Sequence, residues 1–203
     1  MAPRTTTTRP QLDPIEAAPK QQGEAMAVRV ASKMQDELLR LLPWLTHAFG
    51  ISQRMTGQRD GGAQFRYPAA YIGAGEYTNT LPTDALGNYS FIVIDDPQKV
   101  AFQRFRNATI RCTFSLVVWY DLRRIFPSSE QRNTEEVKRQ LLHALSVMEL
   151  PEATRLGVAS VYEQAENVWR GYTLSEQEAQ YMTHPYGALR LEGELTYVEG
   201  CAS

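Results

Sequence analysis

The chain has 203 residues, 43% of them hydrophobic and 22% charged, with a formal net charge of −2. This is the composition of one ordinary globular domain, long enough to bury its own core, and it excludes a whole-chain basic field for gripping nucleic acid. No apolar run approaches the ~18–20 residues of a membrane-spanning helix, and the first residues lack the apolar stretch of a secretory signal.

Residues 1–23 are rich in Thr, Gln and Arg and are broken by Pro3, Pro10, Pro14 and Pro19. They read as an extended arm that needs a neighbour to hold it, with Leu12 and Ile15 as its apolar anchors. A helix is expected from Glu24 to Leu42, because Ala27, Ala31, Met34, Leu38 and Leu41 recur at three- and four-residue steps. Pro43 ends it, with an added turn over Trp44 to Phe49. Residues 50–63, polar and carrying Gly57, Gly61 and Gly62, read as an open loop.

Phe65 to Ile72 is a short strand containing Pro68, which cannot donate to a ladder, so an edge position or a bulge is expected. Gly73 to Asn88 is a turn-rich loop. Tyr89 to Ile94 is an apolar strand stopped by Asp95, Asp96 and Pro97, and residues 98–107 connect onward. Ala108 to Asp121 is the strongest strand. Ile110, Cys112, Phe114, Leu116, Val118 and Tyr120 share one face, Arg111, Thr113, Ser115, Val117 and Trp119 the other, and this strand is placed at the centre of the sheet.

The second helix runs from Asn133 to Met148. Asn133 and Glu136 have capping-box spacing, and Val137, Leu141, Ala144, Leu145 and Met148 form its buried stripe. Leu156 to Tyr162 is a further strand. Residues 164–187 read as an irregular insertion in which Ser175 and Glu178 start a helical turn. In the last strand, Ala188 to Val198, Leu189, Leu191, Leu195 and Tyr197 face in, while Arg190, Glu192, Glu194 and Thr196 face out. The expected fold is therefore α+β: one domain over 24–203, a mixed, mostly antiparallel sheet with two main helices on one face, and an extended N-terminal arm.

No residue pattern points to catalysis. His47, His143 and His184 are too far apart in sequence for a helix-borne metal pair. Asp95 and Asp96 are adjacent and read as a solvated strand end. Gly73-Ala74-Gly75 lacks the third glycine and the helix of a dinucleotide loop. The basic pairs Arg104 and Arg106, and Arg123 and Arg124, read as solvated or interfacial charges, and Trp44, Trp119 and Trp169 as core or interface anchors. Cys112 and Cys201 have no CxxC spacing and read as reduced thiols. The residues alone read as an α+β domain made and used in a cytoplasm, with no cofactor or metal motif, and they do not establish what it does; that it is not an enzyme is what the resemblance below implies.

The organisation resembles the tail terminator family of long-tailed bacteriophages and related neck and tail-completion proteins. The likeness is carried by the early helix, the strand Phe65-Arg66-Tyr67-Pro68-Ala69-Ala70-Tyr71-Ile72 and the loop Gly75-Glu76-Tyr77-Thr78. It continues in the long strand Ile110 to Tyr120, the helix Thr134 to Met148 and the closing Leu195-Thr196-Tyr197-Val198, and it spans about residues 25–200. Two departures are the long arm and the segment 164–187. The resemblance implies a virion structural protein at the head–tail neck. Its copies would form a ring, commonly hexameric, that caps the tail tube and joins it to the connector after assembly in the host cytoplasm. DNA would pass it with only non-specific contact, and no membrane would be involved. Leu12, Ile15, Glu76, Tyr77, Leu81, Arg123 and Arg124 are the residues expected at subunit contacts. The alternatives are another head–tail connector or completion protein, or an enzyme or small-molecule-binding domain.

Overall fold

The structure is a computed structural model and describes residues 26–59, 61–73, 75–103, 107–128, 133–151 and 153–200. The arm with Leu12 and Ile15, the pair Arg104 and Arg106, and Cys201 lie outside the described residues.

Helix α1 (Met26–Leu41) buries Ala31, Met34 and Leu38 of the expected stripe together with Val30 and Gln35, while Ala27 and Leu41 are half-buried. Seven strands follow: β1 (His47–Gln58), β2 (Gln64–Gly73), β3 (Glu76–Asn79), β4 (Tyr89–Gln103), β5 (Asn107–Asp121), β6 (Ala153–Tyr162) and β7 (Tyr186–Gly200). Between them lie α2 (Leu122–Ile125), α3 (Thr134–Val147), α4 (Ala165–Val168) and α5 (Glu176–Gln180). The sheet order is β3-β2-β1-β4-β5-β7-β6. Strands β1 and β4 run parallel and the other neighbours antiparallel, so the mixed, mostly antiparallel sheet is as expected.

The long strand β5 lies between β4 and β7, paired along its length with both. Its alternation divides two cores. Cys112, Phe114, Leu116, Val118 and Tyr120 meet α1 and α3, together with Leu189, Leu191, Leu195 and Tyr197 of β7. Val117 and Trp119 face the other way and pack with Tyr89, Phe91, Val168 and Trp169. Both main helices therefore cover one face. The second face is covered by residues 164–187, with Trp169, Tyr172, Leu174, Tyr181, Met182 and Tyr186 in that core. The segment read as an insertion is thus one wall of the fold.

The structure differs from the sequence reading in several places. Residues 50–58 belong to β1, where a loop was expected. They leave β4 after Ile51 and form a two-stranded ribbon with β2 from Ser52↔Ala70 to Gln58↔Gln64. A ribbon held by backbone bonds needs no apolar alternation, and most of its side chains are exposed. Gly57 leaves room for the Phe65 ring, which an added Cβ would meet at 2.8 Å.

β2 is not an edge strand, because it lies between β1 and β3, but it does carry the expected irregularity, a register shift between Tyr71 and Gly73 rather than at Pro68. The Pro68 carbonyl accepts from the Thr80 amide at 3.0 Å. In an antiparallel hydrogen-bonded pair, the missing Pro68 amide would have met the Thr80 carbonyl. The Tyr89 hydroxyl donates to that carbonyl instead, at 3.0 Å. The loop 73–88 also contains β3 and a 3₁₀ turn, Asp84–Leu86, capped by Thr83.

Strand β4 does not stop at Asp95. The register slips between Asp95 and Lys99 and then resumes from Lys99↔Arg111 to Gln103↔Asn107, a bulge that absorbs Pro97. The capping box is at Ser175 and Glu178, where both reciprocal bonds form. Asn133 does cap α3, through the Glu135 amide, but Glu136 spends its carboxylate on Arg139 and Gln140. Arg190, expected to face water, is 3% exposed. It bonds Glu192 at 2.8 Å and the Ser115 hydroxyl at 2.9 Å beneath α4.

Candidate assembly surfaces

The two ends of the sheet are strands β3 and β6, and neither has a further strand neighbour among the described residues. An open edge presents backbone donors and acceptors to another chain. On β3, Tyr77 lies opposite Tyr71 in register, with ring centroids 5.4 Å apart and both rings 43% exposed. Glu76 and Tyr77, two of the residues expected at contacts, are therefore together on one open edge. Leu81 is not: it is 2% exposed and packs with Phe49, Leu86 and Tyr89 inside its own subunit. The correction has a local cause. The Asn79 side chain accepts from the Leu81 amide at 2.9 Å, a tight turn after β3 that tucks Leu81 under the sheet.

Arg123 and Arg124 lie at the other end of the strands, on α2. Asp121 caps this helix and holds Arg123 through hydrogen bonds at 2.8, 2.9 and 3.1 Å. Arg123 also donates to the Tyr186 hydroxyl at 2.8 Å, and that hydroxyl donates to Asp84 at 3.0 Å. Arg124 bonds the Asp84 carbonyl at 3.3 Å. The pair is a clamp joining the end of β5, the Asp84 turn and the start of β7, with about half of each side chain exposed. Burial raises the Asp121 carboxyl, and the Arg123 guanidinium more than offsets it, so the group is held below the ordinary carboxylate range.

Two surfaces went unread in the sequence. The first is the β4–β5 hairpin, where Phe102 is 83% and Val100 52% exposed. Lys99, Val100, Ala101 and Phe102 alternate as a strand should, and only the break expected at Pro97 hid that signal. The second is an open cleft of about 520 Å³ beside the β4–β5 hairpin, lined by Lys99, Val100, Ala101, Arg111, Arg155 and two threonines, Thr109 and Thr196. Its cations come from three strands, so no local motif marks it. Arg111 is ion-paired with Glu194, which holds that carboxyl below its ordinary range.

The remaining candidates lie apart from one another. His47 donates to the Leu86 carbonyl at 2.7 Å, while His143 and His184 are exposed. Trp44 donates to Gln140 at 2.7 Å and Trp119 to the Tyr181 carbonyl at 2.9 Å. Cys112 is a buried free thiol, pushed up by burial. Among the described residues, no three His, Cys, Asp or Glu side chains form a group able to hold a metal ion, and no helix is long and apolar enough to cross a membrane. No protein-family model and no curated protein matches the chain.

Proposed function

We propose that this chain is a structural subunit of a tailed-bacteriophage virion. In this reading it forms a closed ring at the neck that terminates the tail tube and joins it to the head connector. The observation that supports it most is the pair of open edges at opposite ends of one sheet, β3 and β6, with the Tyr71–Tyr77 pair on the first. A ring needs two different faces that meet head to tail and close, and strand addition at unlike edges supplies such faces. Backbone bonds give the joint its strength, and the exposed tyrosines give it an apolar anchor.

Negative-stain imaging of the purified protein, alone and with tail tubes, tests the proposal. Rings of uniform diameter that seat on tube ends support it. A monomer at all concentrations that ignores tubes contradicts it.

The cationic cleft favours a second reading, a binder of small anionic molecules. Calorimetric titration with inorganic pyrophosphate separates the two. Saturable binding lost in Arg155→Ala supports the binder, and heats no larger than dilution contradict it.

A further inference from the structure

The helix-side face of the sheet outruns its helices. Strand β5 and helix α1 have 15 and 16 residues. At ~3.3 Å per strand residue against ~1.5 Å per helix residue, the strand is about twice as long. The surplus is the β4–β5 hairpin, whose register places Val100 opposite Ile110 and Phe102 opposite Ala108. Ile110 packs against the helix-side core, so Val100 and Phe102 continue that apolar face beyond the point where α1 begins.

The chain enters the fold at this spot. Ala108 pairs with Phe102 on one side and with Glu199 on the other, so the three form a row across β4, β5 and β7. The Met26 backbone nitrogen donates to the Glu199 carboxylate at 3.4 Å. With strands ~4.8 Å apart, residues 1–25 therefore join α1 within roughly 15 Å of the Phe102 backbone.

We propose that the segment Leu12–Ile15 of the same chain folds back over Val100 and Phe102 and completes this face. Ten residues separate Ile15 from Met26, and extended they reach up to ~35 Å, ample for the return. Asp13 precedes Pro14 and is thereby biased to extended backbone. On a polyproline path, positions three apart fall on one side, so Leu12 and Ile15 present a paired apolar face to the paired Val100 and Phe102. The short tether gives this segment an effective concentration in the millimolar range, above that of any free partner. The inference leaves closure through β3 and β6 untouched but replaces the expectation that Leu12 and Ile15 lie at subunit contacts.

Hydrogen exchange read by mass spectrometry on the full chain and on the double variant Leu12→Ser, Ile15→Ser tests it. The expected result is exchange about tenfold faster at residues 98–103 and 107–111 in the variant, with the rest of the sheet unchanged and no dependence on protein concentration. The reciprocal variant, Phe102→Ser, is expected to speed tryptic cleavage after Arg4 and Lys20 while the melting temperature stays within a few degrees. Equal exchange in the full chain and the double variant overturns the proposal. So does hairpin protection that grows with concentration, which would make a second copy the occupant, or a cleavage rate unchanged in Phe102→Ser.

Discussion

Gly193 shows how tightly single atoms constrain this sheet. A Cβ at this position would lie 1.9 Å from the Gly157 carbonyl oxygen and 3.0 Å from the Phe114 ring. The backbone of β6 must yield before any side chain fits. We predict that Gly193→Ala loses about 2–3 kcal/mol in urea unfolding, whereas Gly50→Ala, with open space around it, stays within about 0.5 kcal/mol. Asp121 acts through charge. Its carboxyl is depressed in the fold, so the stability it adds is present above the unfolded carboxylate pKa and is lost as pH falls through the lower folded value. We expect Asp121→Asn to flatten the acid limb of the stability curve below about pH 4. Tyr120 works at the opposite limit. Burial pushes its hydroxyl up to about 12, so its contribution is complete below the unfolded value and is lost as pH rises through that window. In Tyr120→Phe the alkaline loss of stability should be shallower above about pH 10.

At the scale of elements, the legible parts of the sequence were those whose pattern records burial. The stripes of α1 and α3 and the two faces of β5 could be read because apolar side chains there face a core at a fixed period. The ribbon half of β1 was not legible, because residues 52–58 are held by backbone pairing to β2 and most of residues 53–58 are exposed, so no apolar period records them. The outer half of β4 was hidden by Pro97, which the fold absorbs in a bulge. Arg190 alternates as an outward residue does, and only the segment 164–187, whose sequence is irregular, turns its face into an interior. Of the residues expected at contacts, Glu76 and Tyr77 lie exposed on β3, in the stretch read as turn-rich. Leu81 was misread because a single Asn79 side-chain bond decides which way it points.

The Pro68 arrangement carries the test at this scale. Tyr89→Phe strands the buried Thr80 carbonyl and should cost about 1–2 kcal/mol by thermal unfolding. Adding Pro68→Ala should restore part of that loss, since an alanine amide faces the same carbonyl. Additive losses in the double variant would show that the tyrosine hydroxyl does not stand in for the missing amide.

In the proposed ring, the whole molecule is a part whose sheet is finished by other copies. Both faces of the sheet carry a buried core, and among the described residues what remains open is the pair of edges and the apolar end of the β4–β5 hairpin. The net charge of −2 argues against a strong grip on DNA. A filter assay is expected to show no salt-sensitive, sub-micromolar binding, and such binding would point to the cationic cleft as a nucleic-acid surface. Tyr77→Lys replaces the apolar anchor of the β3 edge with a charge that the joint to β6 of the next copy would have to desolvate, and should leave the melting temperature within a few degrees while abolishing association.

The central claim is head-to-tail closure through β3 and β6, and sedimentation equilibrium of the full chain over a hundredfold range of concentration, beside Tyr77→Lys, tests it most directly. The expected result is one closed oligomer of fixed mass for the natural sequence and a monomer for the variant. A natural chain that stays monomeric throughout, or a variant that assembles equally well, would contradict it.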